Sequence, residues 1–162
     1  MANIVHAPYP GATSCQGLCG LKIFNPPVPV TQNIGTLYPG KMIFISGTPN
    51  PDCPRFSINL KSGKENAFHF DVRFSFGNDT NVIVRNAKQD TKWGTPEKTL
   101  SSSFPFCRGN SFEIIILVES SCYKVAVNNE HLVEFNHRFP LEKVDLLRIR
   151  GDVKISMVRI QG

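Results

Sequence analysis

The chain has 162 residues, of which 41% are hydrophobic and 19% charged, a composition typical of one folded domain and unlike that of a disordered chain. Its formal net charge is +5, but Lys and Arg are scattered singly, so we expect no nucleic-acid partner. The most apolar run, residues 114–118, is much too short to span a bilayer, and no membrane insertion is expected.

The first 22 residues are rich in Gly, Pro, Ala, Ser and Cys and show no periodicity, which predicts a flexible N-terminal tail before a domain at 23–162. They lack the basic and apolar regions of a signal peptide, and the five cysteines are an odd number, so we expect a cytoplasmic protein with reduced thiols. Cys15 and Cys19 resemble one half of a zinc site, but no second ligand pair or His cluster accompanies them. No metal and no cofactor are therefore expected.

Short apolar runs separated by Pro, Gly and Asn follow the tail, and none shows a sustained helical period. Between two of the runs, Asn128 and Asn129 suit a two-residue hairpin turn, because Asn tolerates positive φ. The pattern predicts an all-β fold, a two-sheet antiparallel jelly-roll sandwich. The predicted strands cover residues 41–46, 55–60, 67–76, 81–86, 111–119, 123–127, 131–135, 146–149 and 153–160.

The third of these strands carries three polar residues in alternation, which places His69, Asp71 and Arg73 on one face of a sheet. A solvated strand face is the ordinary explanation of such alternation. Three hydrogen-bonding side chains are too many to bury without partners, so we expect them to line an open groove. The opposite face is wholly apolar and is predicted to face the core: Phe68, Phe70, Val72 and Phe74.

The next predicted strand ends at Asn86, and Trp93, the only tryptophan, follows closely. Charged and amide donors on one sheet suit the hydroxyl groups of a neutral sugar, while a flat indole covers the apolar C–H face of a pyranose ring. The set His69, Arg73, Asn86 and Trp93 therefore favours carbohydrate binding.

Several segments in the same order resemble the galectin family, and the resemblance covers about residues 23–162: HFDVRF, VIVRN, TKWG, FPFCRGNSFEI, YKVAVNNEHLVEFNHR and GDVKISMVRI. The resemblance implies a lectin that binds β-galactoside glycans, of the lactose or N-acetyllactosamine type, without catalysis. By the match, His69 and Arg73 would bind the axial O4 of galactose, Asn86 would bind O6, and Trp93 would stack on the ring. Glucose would be disfavoured, since its equatorial O4 leaves polar groups unpaired.

The match has departures that predict altered affinity or specificity. Asp71 replaces the family's Asn; it can only accept hydrogen bonds, and we expect it to form a salt bridge with Arg73 that competes with the sugar. Pro96 replaces the acid of the family's W-G-x-E-x-R segment, and a bulge there would let Glu97 supply the carboxylate and Lys98 the cation. Arg55, on the preceding strand, would extend the groove.

Two other functions compete with this interpretation. A glycosidase would need two carboxylates across the scissile bond, and Asp71 with Glu97 is the only available pair, so no enzyme activity is expected. A galectin-fold interaction protein that has lost lactose binding and uses another glycan or a protein partner is the stronger alternative. The resemblance also implies export to the extracellular space without a signal peptide, and leaves open a homodimer or a tandem-domain partner.

Overall fold

Two antiparallel sheets of six strands each form the protein in the computed structural model, which describes residues 20–162. A short 3-10 helix, Leu141–Lys143, lies between the tenth and eleventh strands. The predicted tail as far as residue 19, with Cys15 and Cys19, lies outside the described residues. The strands in chain order are β1 (Lys22–Phe24), β2 (Val30–Asn33), β3 (Met42–Pro49), β4 (Arg55–Ser62), β5 (Glu65–Phe76), β6 (Asp79–Gln89), β7 (Lys92–Trp93), β8 (Phe112–Val118), β9 (Cys122–Val127), β10 (Glu130–Asn136), β11 (Leu146–Gly151) and β12 (Val153–Gln161).

The two sheets differ in the order of their strands. One has the order β2-β11-β4-β5-β6-β7 and is called here the groove sheet; the other has the order β1-β12-β3-β8-β9-β10 and is called the rear sheet. Consecutive strands such as β3 and β4 lie in different sheets, whereas β4, β5 and β6 are sequential neighbours. The predicted jelly-roll sandwich is confirmed.

The core lies between the sheets and is dominated by aromatic and β-branched side chains. Phe68 of β5 stacks on Tyr123 of β9 with ring centroids 5.0 Å apart, and Phe56 of β4 stacks on Phe112 of β8 at 5.3 Å. All four apolar residues of the predicted core face of β5 are buried. Their burial fixes the register of β5, because a slip by one residue would turn its polar face into the core.

The nine predicted strands are all present, most of them longer by a few residues. Asn128 and Asn129 have φ values of 51° and 67°, which confirms the predicted hairpin turn. The sequence did not indicate β1, β2 or β7, since strands of two to four residues are too short to show alternation. Residues 20–22, placed in the tail from the sequence, lie against β12, where the amide of Gly20 donates to the carbonyl of Ile160 at 3.0 Å.

Candidate functional site

A groove of about 770 Å³ lies on the solvent face of the groove sheet. Residues directly opposite one another in an antiparallel sheet point to the same face, so the strand register lays side chains across the groove in rows. The central row takes one residue from each of four strands: Arg148 from β11, Asn59 from β4, His69 from β5 and Asn86 from β6.

Two neighbouring rows flank the central row. On one side of the central row, Ser57 lies between Arg150 of β11 and Asp71 of β5. On the other side, Lys88 of β6 lies opposite Trp93 of β7, whose ring is 47% exposed. The residues predicted from the sequence that line the groove are Arg55, His69, Arg73, Asn86, Trp93 and Lys98.

His69 presents a neutral imidazole to the groove. Its Nδ1 lies 2.6 Å from Oδ1 of Asn59, which can only accept, so Nδ1 donates and Nε2 is left as an acceptor. Oδ1 of Asn59 also accepts from Nδ2 of Asn66 at 2.8 Å, which fixes the orientation of the Asn59 amide. Burial lowers the pKa of His69 to about 4, although Asp71 opposes the shift. The free Nε2 suits it to accept a hydrogen bond from a ligand hydroxyl.

The amide of Asn86 is held from two sides. Its Nδ2 donates to the carbonyl of Gly94 at 2.9 Å, and its Oδ1 accepts from Nη1 of Arg138 at 3.0 Å. Gly94 leaves room for this packing, because a Cβ there would lie 3.0 Å from Nη1 of Arg138 and 3.2 Å from Oδ1 of Asn86. The second N–H of the Asn86 amide is left for a ligand.

Asp71 does not line the groove, which corrects the prediction that all three polar residues of β5 would do so. Its side chain is 0% exposed because the longer side chains of Arg55, His69 and Arg73 surround it. Nε of Arg73 donates to Oδ2 of Asp71 at 2.8 Å, which confirms the predicted salt bridge, and Nε of Arg55 lies 3.7 Å from Oδ1. Asp71 therefore lies beneath the groove and holds the side chains that form its floor.

A second carboxylate, Asp79, links the two predicted cations of this region. Nη1 of Arg73 donates to Oδ2 of Asp79 at 2.7 Å, and Nζ of Lys98 lies 3.3 Å from the same carboxylate. These contacts lower the pKa of Asp79, with the hydrogen bond from Arg73 as the largest cause. Among residues 20–162, the Nη2 amino group of Arg73 has no hydrogen-bond partner, so it is left to donate to a ligand.

Glu97 does not supply the carboxylate of the groove, which corrects the interpretation based on a bulge after Trp93. Its backbone pairs with that of Arg85, and its Oε2 accepts from Nη2 of Arg138 at 2.7 Å. This pairing holds Glu97 beside Arg138 and so outside the residues that line the groove. The carboxylate beside Arg73 and Lys98 is that of Asp79.

Three residues that hold the site were missed by sequence reasoning. Asn59 could have been found, since the alternation of β4 places it on the same face as Arg55. Asp79 and Arg138 carried no such signal, because one begins β6 after a tight turn and the other lies in the loop after β10. Within residues 20–162, no three His, Cys, Asp or Glu side chains converge as metal ligands, and no helix is long and apolar enough to cross a membrane.

The neutral state of His69 predicts a stability that depends on pH. Its folded pKa of about 4 lies below the usual value of 6.5, so between these values the unfolded chain binds more protons than the folded one. We expect the His69 contribution to be complete above pH 6.5 and to be lost as the pH falls towards 4, by up to about 1.4 kcal/mol per pH unit. Urea unfolding of the protein and of His69→Gln at several pH values measures it, with His131→Gln as the control. An equal slope in all three proteins would contradict the prediction.

Comparison with known proteins identifies the relatives of this chain. The family model for galactoside-binding lectins matches residues 29–160. Galectin-3 of Cricetulus longicaudatus is 42% identical over 123 residues, which are 75% of this chain and 49% of that protein. The chain spans about half the length of the curated relatives it matches.

Solved structures share the same architecture. A homodimeric agglutinin from chicken liver, CG-16, is 29% identical with a TM-score of 0.74, covering 82% of this chain and 98% of that one. Galectin LEC-6 of Caenorhabditis elegans has a TM-score of 0.79 at 23% identity, covering 87% and 96% of the two chains, and so shares the fold.

Proposed function

The chain belongs to the galactoside-binding lectin family, and on that premise we propose that its groove binds glycans ending in a β-galactoside and does no chemistry on them. One observation carries the proposal: His69, Arg73 and Asn86 turn free polar groups to one open face, with the exposed ring of Trp93 beside them. The ring centroids of His69 and Trp93 are 4.8 Å apart, so a sugar stacked on the indole would also reach the imidazole.

The polar groups left free in the groove match the hydroxyls of galactose. We assign O4 to Nε2 of His69 as acceptor and to Nη2 of Arg73 as donor, and O6 to the free N–H of Asn86. These partners converge on an axial O4, whereas the equatorial O4 of glucose would leave them unpaired. The site therefore selects galactose over glucose, because glucose would leave polar groups of the groove without hydrogen-bond partners.

The carboxylates around the groove support binding without catalysis. A glycosidase needs one carboxylic acid and one carboxylate facing the scissile bond. Asp71 is buried against Arg73, and Glu97 is held by Arg138, so each carboxylate is engaged in an ion pair within the protein. In our proposal, both side chains support the binding face of the groove and do not react with the sugar.

Lactose binding is expected to change the fluorescence of Trp93. Because Trp93 is the only tryptophan of the chain, the signal reports the site alone. The measurement is a titration with lactose to tens of millimolar, with cellobiose, which ends in glucose, as the control sugar. We expect a saturable change with lactose and none with cellobiose.

A folded protein whose emission does not respond to lactose, and which shows no heat of binding in calorimetry, would contradict the proposal. That outcome would favour an interaction protein that retains the fold, since the ion pair between Arg73 and Asp71 would then explain the loss of galactoside binding.

The chicken agglutinin of the same fold is a homodimer, so the oligomeric state of this protein is a second property to measure. Light scattering distinguishes a monomer of 18.1 kDa from a dimer.

A further inference from the structure

An exposed aromatic side chain lies beside two arginines that line the groove. Phe76 is the last residue of β5 and precedes the tight turn to β6, where Gly77 has a φ of 60°. Its ring is 41% exposed, and it does not line the groove itself. Neither packing in the core nor the proposed sugar contacts therefore account for a phenylalanine at this position.

Two guanidinium groups contact the ring of Phe76. Cζ of Arg55 lies 4.2 Å from the ring centroid and Cζ of Arg73 lies 5.0 Å from it, both within the range of a cation–π interaction. The strand register places Arg55 of β4 directly opposite Arg73 of β5, so two like charges lie side by side. The ring is thus a common support for two side chains that would otherwise repel one another.

Arg73 needs a support that leaves one of its donors free. Its Nε already donates to Asp71 and its Nη1 to Asp79, while the proposed function assigns its Nη2 to O4 of galactose. A further carboxylate or carbonyl would compete with the sugar for Nη2. An aromatic face attracts the guanidinium charge and presents no oxygen acceptor. Phe76 can therefore restrain Arg73 and still leave Nη2 to a ligand.

The contact between Phe76 and Arg55 also affects the ion pair of Arg73. Oδ1 of Asp71 is buried and has no hydrogen-bond partner among the described residues, although buried acceptors are normally satisfied. Nε of Arg55 lies 3.7 Å from this oxygen, just beyond hydrogen-bonding distance. The guanidinium of Arg55 lies over the Phe76 ring instead. Phe76 thus keeps Arg55 from competing with Arg73 for the same carboxylate.

We propose that Phe76 is a positioning residue for galactose: its ring holds Arg73 with Nη2 turned towards O4, and it holds Arg55 away from Asp71. The inference rests on the proposed function, in which Arg73 is the donor to O4. Because O4 distinguishes galactose from glucose, a residue that does not touch the sugar then contributes to specificity. An aliphatic side chain of similar size would not attract the two cations, so the role requires an aromatic ring.

Three substitutions of Phe76, compared by calorimetry with lactose, test this role. Phe76→Ala is expected to weaken lactose binding about fivefold, as the loss of exposed cation–π contacts predicts. Phe76→Leu keeps an apolar side chain but lacks the aromatic face, and we expect a similar loss. Phe76→Tyr keeps the ring and should bind within about twofold of the unmodified protein. Urea unfolding of all four proteins should give similar midpoints, since the ring lies largely outside the core.

Nuclear magnetic resonance of the arginine Nε–Hε groups reports on Arg73 without any ligand. The Arg73 signal, assigned through its loss in Arg73→Lys, is expected to move in Phe76→Ala, because the ring no longer shields the protons near it. Arg159 is the matched control, since its Cζ lies 3.8 Å from the ring centroid of Phe44 on the rear sheet. The Arg159 signal should stay in place.

The outcomes separate the two proposals. If lactose does not bind the unmodified protein, the proposed function fails, and the role of Phe76 in sugar binding fails with it. If lactose binds, only the inference fails when Phe76→Ala or Phe76→Leu keeps full affinity, or when the Arg73 signal does not move. A loss in Phe76→Ala that lowers the unfolding midpoint and is not restored in Phe76→Tyr would also overturn it, by showing a purely structural role.

Discussion

Replacing Asp71 by alanine is expected to lower the free energy of unfolding by about 3–5 kcal/mol. The side chain is fully buried and pairs with Nε of Arg73 at 2.8 Å, with Arg55 and His69 on its other sides. Its removal leaves partly buried cations without their countercharge, which costs much more than losing an exposed pair. The mutation also removes the contact that fixes Arg73 and so should weaken lactose binding.

Urea unfolding followed by circular dichroism measures the loss, and Asp79→Ala is the matched control. Asp79 also pairs with Arg73, but its side chain is partly exposed whereas that of Asp71 is fully buried, so its removal is expected to cost less. If Asp71→Ala is no more harmful than Asp79→Ala, the buried carboxylate is not the support described here.

The Asp71→Asn variant removes the negative charge of this side chain and keeps its size and shape. The amide oxygen can still accept from Nε of Arg73, so the side chain stays in place while the strong pairing is weakened. We expect lactose affinity to rise several-fold in calorimetry, because Arg73 then gives more of its hydrogen-bonding capacity to the sugar. An unchanged or lower affinity would show that Asp71 does not compete with the ligand.

Replacing Trp93 by alanine is expected to weaken lactose binding about thirtyfold, equivalent to about 2 kcal/mol of lost apolar contact. The indole is 47% exposed and packs beside His69, so it offers a flat face to a ligand. It contributes little to the core, and the free energy of unfolding should change by less than about 0.5 kcal/mol. Calorimetry replaces fluorescence here, since the variant lacks the only tryptophan.

Phe24→Ala provides the control for this variant. Phe24 is also an exposed aromatic residue, 66% accessible, but it lies on the rear sheet. We expect it to leave lactose affinity unchanged. Equal losses in both variants would mean a general effect on the protein, and no loss in Trp93→Ala would contradict stacking on the indole.

The side of each strand could be predicted from the sequence wherever apolar and polar residues alternate. In β5, four buried apolar residues fix which face turns outward, and His69 and Arg73 therefore line the groove as expected. Alternation cannot predict how deep a polar side chain lies on that face. Asp71 is buried because its shorter side chain lies among longer neighbours on β4 and β5, a relation that the alternation of a single strand does not show.

The partners of the site residues were harder to predict than the residues themselves. Arg138 reaches Asn86 and Glu97 from a loop, and Asp79 reaches Arg73 across a turn. Such contacts join segments without regular periodicity, so no local pattern indicates them. The gathering of Lys61, Arg148 and Arg150 was missed for a related reason: these residues are scattered singly along the chain, and only the pairing of β4 with β11 brings them together.

The side chains of the central row come from four different strands, so each of them can be substituted without changing the others. Each of β11, β4, β5 and β6 contributes one side chain to it, so each strand meets a different region of a bound glycan. Under the proposed function, a single substitution on β11 would therefore leave in place the side chains of β5 and β6 that are assigned to galactose. Such a scaffold allows new glycan preferences to evolve, or to be engineered, through point mutations that leave the fold unchanged.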